Sequence, residues 1–521
     1  MPTDVTLVLS PRQASNESFV KDQAIRKLGI KVSDVGVIHI TRKSIDARKG
    51  KIQINVGLRV FGKDEKIDSY FPKFTYNNVT SKPEVIIVGS GPAGLFAALR
   101  LLELGYKPII LERGKDVSSR KRDVAMLNRN KSFEPNSNYA FGEGGAGTFS
   151  DGKLYTRSRK RGDINRIIST LHLHGAQDEI LYEAHPHIGT NILPRVITNI
   201  HNTIELHGGV FLINSKVDDL IVENAVVKGV VLHDGTSLRA KGVILATGHS
   251  ARDIYQMLWR KSLLLEAKPF AIGVRVEHPQ ELIDSIQYHG VSRGDYLPAA
   301  SYSLVDQVDG RGVYSFCMCP GGFIVPAVSG ENQIVVNGMS PSARSSKWAN
   351  SGIVVEVRLE DIAHLSNHGP LAGLEFQMQM EQLAYRHKSG DGFIAPAQRL
   401  DEFVASQVSN ALPECSYQPG VSSSPIHEWL PNGITKRLQE GFKLFDRRLK
   451  GFITNEALVV ALESRTSSPI RIPRDSETLQ HLQAKGLFPC GEGAGYAGGI
   501  VSSAVDGERC AEACANWYAS I

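Results

Sequence analysis

One glycine-rich turn constrains the fold of this 521-residue chain more than any other feature. The apolar run Val85–Val88 has no polar alternation, which is typical of a strand buried on both faces of a parallel sheet. It leads into the hexapeptide 89–94 (Gly-Ser-Gly-Pro-Ala-Gly), which is expected to open a helix that ends at Gly105. A second apolar strand, 107–111, then ends at Glu112. This order predicts a complete βαβ unit of about thirty residues.

The spacing of the three glycines predicts a dinucleotide site. Gly89 allows the tight turn, Gly91 lets the backbone approach a pyrophosphate, and Gly94 lets the helix pack on the strand. The start of the helix would present N–H groups and a positive dipole to the phosphates. Glu112, 23 residues after Gly89, stands where a carboxylate accepts hydrogen bonds from an adenosine ribose. The cofactor contacts expected from this unit are Gly89, Gly91, Pro92, Ala93, Gly94, Glu112 and Arg113.

Two distant segments favour FAD over NAD. The tetrapeptide 245–248 (Leu-Ala-Thr-Gly) ends a predicted strand, and Gly491-Glu492 lies shortly before the last helix. The arrangement resembles the glutathione-reductase-type flavoproteins, whose FAD domains are of the two-dinucleotide-binding type. That resemblance implies that Glu492 takes the place of an aspartate that binds the ribityl chain, and that the last helix points its N-terminus at the flavin pyrimidine. The contacts expected here are Val217, Thr247, Gly248, Gly491, Glu492, Gly498, Gly499 and Ile500.

A closer resemblance covers nearly the whole chain. The segments 112–114, 138–154, 185–190 and 317–322 are similar to those of an uncharacterised bacterial family of FAD-dependent dehydrogenases or oxidoreductases. It implies the fold and the cofactor, with the same small N-terminal module, but no substrate. On this reading the small residues Gly144, Gly145, Ala146 and Gly147 let backbone lie against the isoalloxazine ring, and Asp151 and Lys153 contact a phosphate or the flavin edge. No His or Cys lies in a recognisable flavinylation context, so the FAD is expected to be non-covalent.

Two cysteines and a histidine are candidate catalytic residues. Cys317 and Cys319 are alternate residues of one predicted strand, so their thiols would share a face. One interpretation is a redox dithiol beside the flavin. The other is a pair of small buried thiols that pack a hairpin, because cysteines two residues apart rarely reach disulfide geometry. His187 is read as lining the flavin pocket or as an ordinary loop histidine. With no third ligand at a recognisable spacing, no metal site is expected.

Three arginines complete the catalytic candidates. Arg275, Arg399 and Arg465 could each grip a carboxylate or phosphate of an anionic substrate through two hydrogen bonds. The alternative for each is an arginine in a surface salt bridge.

The pattern of elements predicts an α/β fold in four segments. A small basic βαββ-like module occupies residues 1–82, with a further strand near 70–76. A Rossmann-type FAD-binding domain is split in sequence into 83–265 and 480–521. Residues 266–479 lack the βαβ rhythm and are therefore expected to form an inserted mixed α+β domain, a substrate or cap domain.

The basic charge is concentrated in the first 82 residues. They hold 15 Lys and Arg against 8 Asp and Glu, a balance of +7, whereas the whole chain carries +5. Such a surface could bind RNA, although few aromatic residues interleave with the basic run 42–51, and an ordinary solvated face explains it too. We expect the module to fold separately and to be dispensable for FAD binding, because every cofactor motif lies at or beyond Gly89.

Together these features predict a FAD-dependent oxidoreductase that moves a hydride to or from flavin. A small-molecule substrate, which could be anionic, is expected. No second glycine-rich βαβ unit is present, so a dedicated NAD(P)H domain is not expected, but NADH or NADPH could still act as a transient electron donor. The alternatives are a flavin-dependent RNA-modifying enzyme and a non-catalytic flavin-bound sensor or interaction protein. The sequence has six cysteines without a CxxC pair, and it shows no apolar N-terminal run and no membrane-spanning segment. These features favour a cytoplasmic location. The sequence does not determine the oligomeric state.

Overall fold

The computed structural model describes residues 2–48, 50–65, 72, 74–155 and 162–520. Within them the strands are β1 (Thr3–Leu9), β2 (Val35–Asp46), β3 (Gln53–Gly62), β4 (Glu84–Val88), β5 (Lys107–Leu111), β6 (Val210–Leu212), β7 (Val217–Glu223), β8 (Val226–Leu232), β9 (Ser237–Arg239), β10 (Val243–Leu245), β11 (Glu266–Ala267), β12 (Phe270–Pro279), β13 (Val305–Val308), β14 (Arg311–Cys319), β15 (Phe323–Pro326), β16 (Val336–Met339), β17 (Trp348–Val357), β18 (Ala395–Arg399), β19 (Val421–Ser423), β20 (Leu458–Glu463), β21 (Ile470–Arg471) and β22 (Leu487–Pro489). The helices are α1 (Pro11–Ala14), α2 (Glu17–Leu28), α3 (Pro92–Leu104), α4 (Val117–Asn128), α5 (Ile164–Leu173), α6 (Leu193–Leu206), α7 (Arg252–Arg260), α8 (Gln280–Gln287), α9 (Ala372–Arg386), α10 (Leu400–Ala405), α11 (Ile426–Trp429), α12 (Asn432–Arg448) and α13 (Ile500–Ser520).

A five-stranded parallel sheet forms the first of two large layers. Its order is β22-β10-β4-β5-β6, with every neighbouring pair parallel. One face packs against α3, α5, α6 and α13, and the other against β7, β8, β9 and α7. Because β22 comes from the C-terminal end of the chain and pairs with β10, the predicted Rossmann-type FAD-binding fold, split in sequence, is confirmed.

A seven-stranded sheet forms the second large layer. Its order is β13-β14-β17-β12-β20-β18-β19, antiparallel except for the pair β18 and β19. The central strands are apolar along most of their length, and β12 and β20 are buried at nearly every position, so this sheet is covered on both faces. The short pair β11 and β21 marks where the chain enters and leaves this region.

The N-terminal module is a three-stranded sheet, β1-β3-β2, beneath α2. The module has two helices, α1 and α2, and the side-chain oxygen of Asn16 caps α2 by accepting a hydrogen bond from the Phe19 amide at 3.0 Å. The strand predicted near 70–76 is absent from 72 and 74–76, and the rest of it lies outside the described residues.

The module also contacts the rest of the chain through its backbone. The Lys43 amide donates to the Tyr182 carbonyl at 2.8 Å, and the Ala184 amide donates to the Lys43 carbonyl at 3.0 Å. These two bonds form an isolated parallel bridge between Lys43 of β2 and Glu183. Among the described residues, no helix is both long enough and apolar enough to cross a bilayer.

Candidate flavin site

A cavity of about 410 Å³ opens at the carboxyl ends of the parallel strands. It lies where β4 has β5 on one side and β10 on the other, the switch point at which open α/β sheets bind ligands. Backbone segments of the parallel sheet line one end, and side chains from the second sheet line the other. The volume is in the range of small-molecule and cofactor sites.

The turn after β4 needs glycine where backbone segments approach each other closely. Gly89 has a φ of +102°, and a Cβ there would lie 2.5 Å from the Ala246 carbonyl oxygen. A Cβ on Gly94 would collide with the Gly89 carbonyl, so this glycine serves helix packing and does not line the cavity. Gly91, Pro92 and Ala93 do line it, at the start of α3. The backbone amides of this first turn have no partner within the helix and face the cavity.

Glu112 is buried and its carboxylate is fully engaged by the surrounding backbone. Oε2 accepts from the amide and the hydroxyl of Ser90, at 3.1 and 2.6 Å. Oε1 accepts from the amides of Gly114 and Gly142, at 2.9 and 3.0 Å. Glu112 therefore joins three loops at the cavity wall. A ribose hydroxyl would have to replace the Ser90 hydroxyl as the donor to Glu112. The predicted contact between Glu112 and the ribose therefore stays a prediction.

Arg113 and Val217 line the same end of the cavity. The Arg113 guanidinium pairs with Asp253 and lies 4.4 Å from the centre of the Phe141 ring. Asp253 thus balances the charge of the Arg113 guanidinium. A bound adenosine would then meet the planar face of the guanidinium.

The glycine loop 144–147 lies directly over the phosphate turn. A Cβ on Gly145 would lie 3.0 Å from the Gly91 Cα, and one on Gly147 would lie 3.5 Å from Ile500. Gly145, Ala146 and Gly147 line the cavity, whereas Gly144 turns the chain behind it with a φ of +79°. The small residues predicted here are therefore needed because two backbone segments approach each other closely.

Arg120 holds this loop in place, and sequence reasoning missed it. The side chain is completely buried and donates to the carbonyls of Asn138, Tyr139, Gly142 and Glu143, at 2.7 to 3.1 Å. Burial lowers its pKa to about 10, against the influence of nearby Glu112 and Glu143, so it stays charged at neutral pH. The only signal in the sequence was an arginine on a helix between two cofactor motifs, which is too common to interpret.

The C-terminal part of the chain closes the cavity. Glu492 lines it and lies 3.3 Å from the Nδ1 of His249, whereas Gly491 lies behind, where its amide donates to Asp506 at 2.8 Å. Gly498, Gly499 and Ile500 line the cavity at the N-terminus of α13. Cβ atoms on Gly498 and Gly499 would meet nothing within 4 Å. The positive end of the α13 dipole thus faces open space, which suits an anionic reduced flavin.

The residues present fit FAD. The bare phosphate turn, the glycine loop laid over it and the N-terminus of α13 all line one cavity. Thr247, Gly248 and Ile254 line its middle. When bound, the flavin would supply the hydride chemistry, while these segments bind it, orient it and exclude water.

Elements outside the parallel sheet also supply side chains to the cavity. Phe316 and Cys317 come from β14 of the second sheet, Asn337 comes from β16 of the separate pair β15 and β16, and Arg465 follows β20. Phe316 and Asn337 are new relative to the sequence prediction, because nothing in their spacing marks them. Asn337 is oriented by Arg275, whose guanidinium donates to its Oδ1 at 3.1 Å.

Arg465 belongs to a buried cluster of two arginines and one carboxylate. Glu381 accepts from Arg252 at 2.8 Å and from Arg465 at 3.2 Å, and Arg465 also donates to the Ser250 hydroxyl at 3.0 Å. Burial alone would raise the pKa of Glu381, but the two arginines outweigh it and lower the pKa to about 2. The cluster therefore carries one excess positive charge beside the cavity.

Lys153 brings Asp151 and the two cysteines together. Its Nζ lies 2.9 Å from Asp151, 3.8 Å from the Cys317 sulfur and 3.6 Å from the Cys319 sulfur. Asp151 is buried, lines the cavity and also accepts from Arg344 at 3.2 Å. Cys317 faces the cavity and Cys319 lies buried behind it.

The remaining candidates do not line the flavin cavity. Arg275 is completely buried, where its Nε donates to Glu463 at 2.8 Å and its NH1 to the Cys317 carbonyl at 3.3 Å, so it is a positioning residue. Arg399 lies elsewhere and donates to the carbonyls of Ala411 and Asn455. His187 lines a second cavity, beside the N-terminal module, and burial lowers its pKa to about 4.

Among the described residues one buried group has the donor types of a metal site. Cys490, Asp506 and Cys510 lie close together. Arg474 already occupies this group, because its guanidinium donates to Asp506 at 2.6 Å and to the Cys510 sulfur at 3.3 Å. A bound cation would have to displace that guanidinium, so the donor set does not fit a metal.

Comparison with known proteins agrees with this site. A family described as "FAD-dependent protein, C-terminal domain-like" matches residues 269–466. The descriptions "FAD binding domain" and "Glucose inhibited division protein A" match residues 82–131 and 194–262, and a domain of unknown function matches residues 1–61.

Relatives and solved structures are similar to different extents. An uncharacterised protein of Clostridium beijerinckii is 41% identical over 95% of each chain. A tRNA uridine 5-carboxymethylaminomethyl modification enzyme of Geobacillus kaustophilus is 28% identical over 32% of this chain and 24% of its own. The E. coli quinol fumarate reductase structure aligns over 84% of this chain and 71% of its own, at 14% identity and a TM-score of 0.35. Because the first of these matches extends over both chains almost entirely, this protein belongs to the same family as the Clostridium beijerinckii protein, a family of FAD-dependent proteins among the two-dinucleotide-binding flavoproteins.

Proposed function

We propose that this protein is a FAD-dependent oxidoreductase that passes a hydride between the flavin and a small anionic molecule. The observation that carries the proposal is the extent of the cavity. Besides the backbone turns that fit FAD, it is lined by side chains from outside the parallel sheet, including Phe316 of the second sheet and Asn337 of β16. A cavity that served FAD alone would need no wall from another layer, so this end is where a substrate would meet the flavin.

The charge at that end favours an anion. Arg252 and Arg465 share the single carboxylate of Glu381, so one positive charge is uncompensated by the protein. Arg465 lines the cavity with a guanidinium that can grip a carboxylate or phosphate. The N-terminus of α13 adds positive potential from the other side.

Two measurements on the holoprotein test the proposal. Anaerobic addition of NADH and of NADPH, followed by the visible spectrum, shows whether either bleaches the flavin. Oxalate, as a probe anion, should perturb the spectrum of the bound flavin on titration.

Arg465→Gln should weaken oxalate binding about ten- to hundredfold, because it removes a charge-assisted hydrogen bond, while Arg252 keeps Glu381 paired. Arg399→Gln, far from the cavity, is the matched control and should bind oxalate as the wild type does. An oxalate affinity that is equal in all three proteins would argue against the anion site. A flavin that no reductant bleaches would argue for the alternative, a non-catalytic flavin-bound protein.

RNA modification is a second candidate, favoured by the similarity to the Geobacillus kaustophilus enzyme. A cleft of about 1330 Å³ beside the N-terminal module is lined by Arg42, Lys43 and Arg48. Acidic residues line it as well, and Arg48 is paired with Asp46 at 2.6 Å, which offsets part of its attraction for phosphates. Retention of transfer RNA by the full chain at low salt, lost steeply as salt is raised, would support this candidate. The absence of retention would leave the basic face as ordinary solvated surface.

A further inference from the structure

We propose that Cys317 and Cys319 form a redox-active dithiol and disulfide pair that exchanges two electrons and a proton with the bound FAD. The inference rests on the proposed function in one respect, the presence of FAD in the cavity. It gives a role to the side chains at the far end of the cavity that flavin binding alone does not require.

The local backbone departs from a regular strand at this pair. The register between β14 and β17 shifts between Phe316 and Cys319, and Cys317 has a φ of +47°. A side chain other than glycine in this left-handed region is uncommon, and such residues cluster at functional sites. The bulge removes the geometry that keeps alternate thiols of a regular strand apart. The two side chains turn toward each other, and the Cys319 thiol also lies 3.3 Å from the Cys317 carbonyl oxygen.

The position of the two sulfurs suits an exchange with flavin. Cys317 lines the cavity beside Phe316, and Cys319 is buried and does not line it. One sulfur can therefore contact the cofactor while the other completes the disulfide.

The surrounding charges favour the Cys317 thiolate. The Nζ of Lys153 lies within 4 Å of both sulfurs, and the Arg275 guanidinium donates to the Cys317 carbonyl. A hydrogen bond from Cys319 lowers the pKa of Cys317 well below its usual value, with further lowering by Lys153 and Arg275. The same contact, with burial, raises the pKa of Cys319. One thiolate and one thiol is the state from which a disulfide forms.

The step balances without a further reagent. In the oxidising direction an S–S bond forms between the Cys317 thiolate and the Cys319 thiol, and the S–H bond of Cys319 breaks. Two electrons and that proton pass to FAD, which is reduced to its anionic form. The reverse reaction breaks the S–S bond and returns the electron pair and the proton to the two sulfurs.

Counting electrons and thiols in the holoprotein tests the pair. Anaerobic titration of the oxidised wild type with dithionite should consume four electrons per FAD, two for the flavin and two for the disulfide. Thiol titration after denaturation should find six thiols in the reduced chain and four in the oxidised chain, since the sequence holds six cysteines. Cys317→Ser and Cys319→Ser should each consume two electrons and show five thiols in both states.

A second buried cysteine pair provides the matched control. Cys490 and Cys510 also lie close together but stand outside the flavin cavity. Cys510→Ser should still consume four electrons and should still lose two thiols on oxidation. If instead Cys510→Ser consumes two electrons and Cys317→Ser consumes four, the redox pair is the wrong one and the proposal falls.

A further readout covers the case in which a serine variant fails to fold. Lys153→Met should slow the alkylation of Cys317 by iodoacetamide at neutral pH about tenfold, because it removes the cation beside the thiolate. A wild type that consumes two electrons and keeps six thiols overturns the dithiol but leaves the flavin oxidoreductase intact. A chain without FAD overturns the proposed function instead, and its thiol count after mild oxidation still reports on the pair.

Discussion

The two large sheets contribute to the same cavity in different ways. The parallel sheet offers backbone: glycines at the turn (Gly89) and in the loop (Gly145) let backbone segments approach closely, and Gly499 at the helix start leaves open space. The seven-stranded sheet and its neighbours offer side chains, such as Asn337 and Arg465. Cofactor binding through backbone needs glycines at fixed spacings, whereas a substrate wall can be built from many residue types. The difference explains why one half of the site is visible in the sequence and the other is not.

The largest expected effect comes from breaking the backbone half. Arg120→Met should leave the buried carbonyls of Asn138 and Tyr139 without their donor, and each such loss costs about 1–3 kcal/mol. We expect the glycine loop to lose its position and the protein to be colourless or insoluble on purification. Arg122→Met, at an exposed position on the same helix, is the control and should stay yellow with an unchanged melting temperature. Normal FAD content in Arg120→Met would show that the loop is held by other contacts.

The side-chain half should respond next most strongly at its charged cluster. Glu381→Gln leaves Arg252 and Arg465 buried without a carboxylate, so the free energy of unfolding should fall by about 3–5 kcal/mol. Denaturant unfolding of the variant and of Glu375→Gln, on the same helix, measures the difference. An unchanged denaturant midpoint for Glu381→Gln would mean that water, and not Glu381, compensates the charges of Arg252 and Arg465.

The pH dependence of that difference has a defined sign. The pKa of Glu381 is about 2 in the folded protein against an ordinary value of 4.5, so the folded state favours the charged carboxylate. Its stabilising effect should be complete above pH 4.5 and should be lost as the pH falls toward 2. The gap in stability between wild type and Glu381→Gln should therefore shrink over that interval. A gap that is constant with pH would contradict the assigned charges.

A smaller effect should follow at the ribose end. Glu112→Gln turns one acceptor oxygen into a donor that faces amide donors, so charge-assisted hydrogen bonds are lost. The dissociation constant of FAD should rise about ten- to hundredfold, measured by titration of the apoprotein. Glu84→Gln, on a half-exposed side chain at the opposite end of β4, should leave it unchanged. Equal affinities in the two variants would place the ribose elsewhere.

The smallest effect is expected from removing the N-terminal module. No described residue of the module lines the flavin cavity, so a chain that starts at Pro83 should keep its FAD with an affinity within about twofold. The backbone bonds of Lys43 to Tyr182 and Ala184 and the core packing of the module would be lost, which should lower the melting temperature. Loss of the flavin on truncation would show that the module supports the cavity from behind.

The sequence predicted the backbone half of the site because its chemistry limits the residue types. Gly89 and Gly94 are required by positions that no Cβ can occupy, and Glu112 ends a strand at a fixed distance from them. The sequence could not predict Asn337, Glu381 or Arg120, because their roles depend on which strands become neighbours. Nothing in the sequence distinguished Arg399 from Arg465 as a candidate for binding an anion. Only the fold shows that Arg465 lines the cavity and that Arg399 does not.

The central claim is that one cavity holds FAD and exposes it to a substrate-facing wall. The most direct test is the visible spectrum of the purified full-length protein, recorded without air through one cycle of photoreduction and reoxidation. The account predicts one non-covalent FAD per chain, released on denaturation, whose absorption bleaches completely and returns when an oxidant is added. A chain that takes up no FAD, or a bound FAD whose absorption does not change, would contradict it.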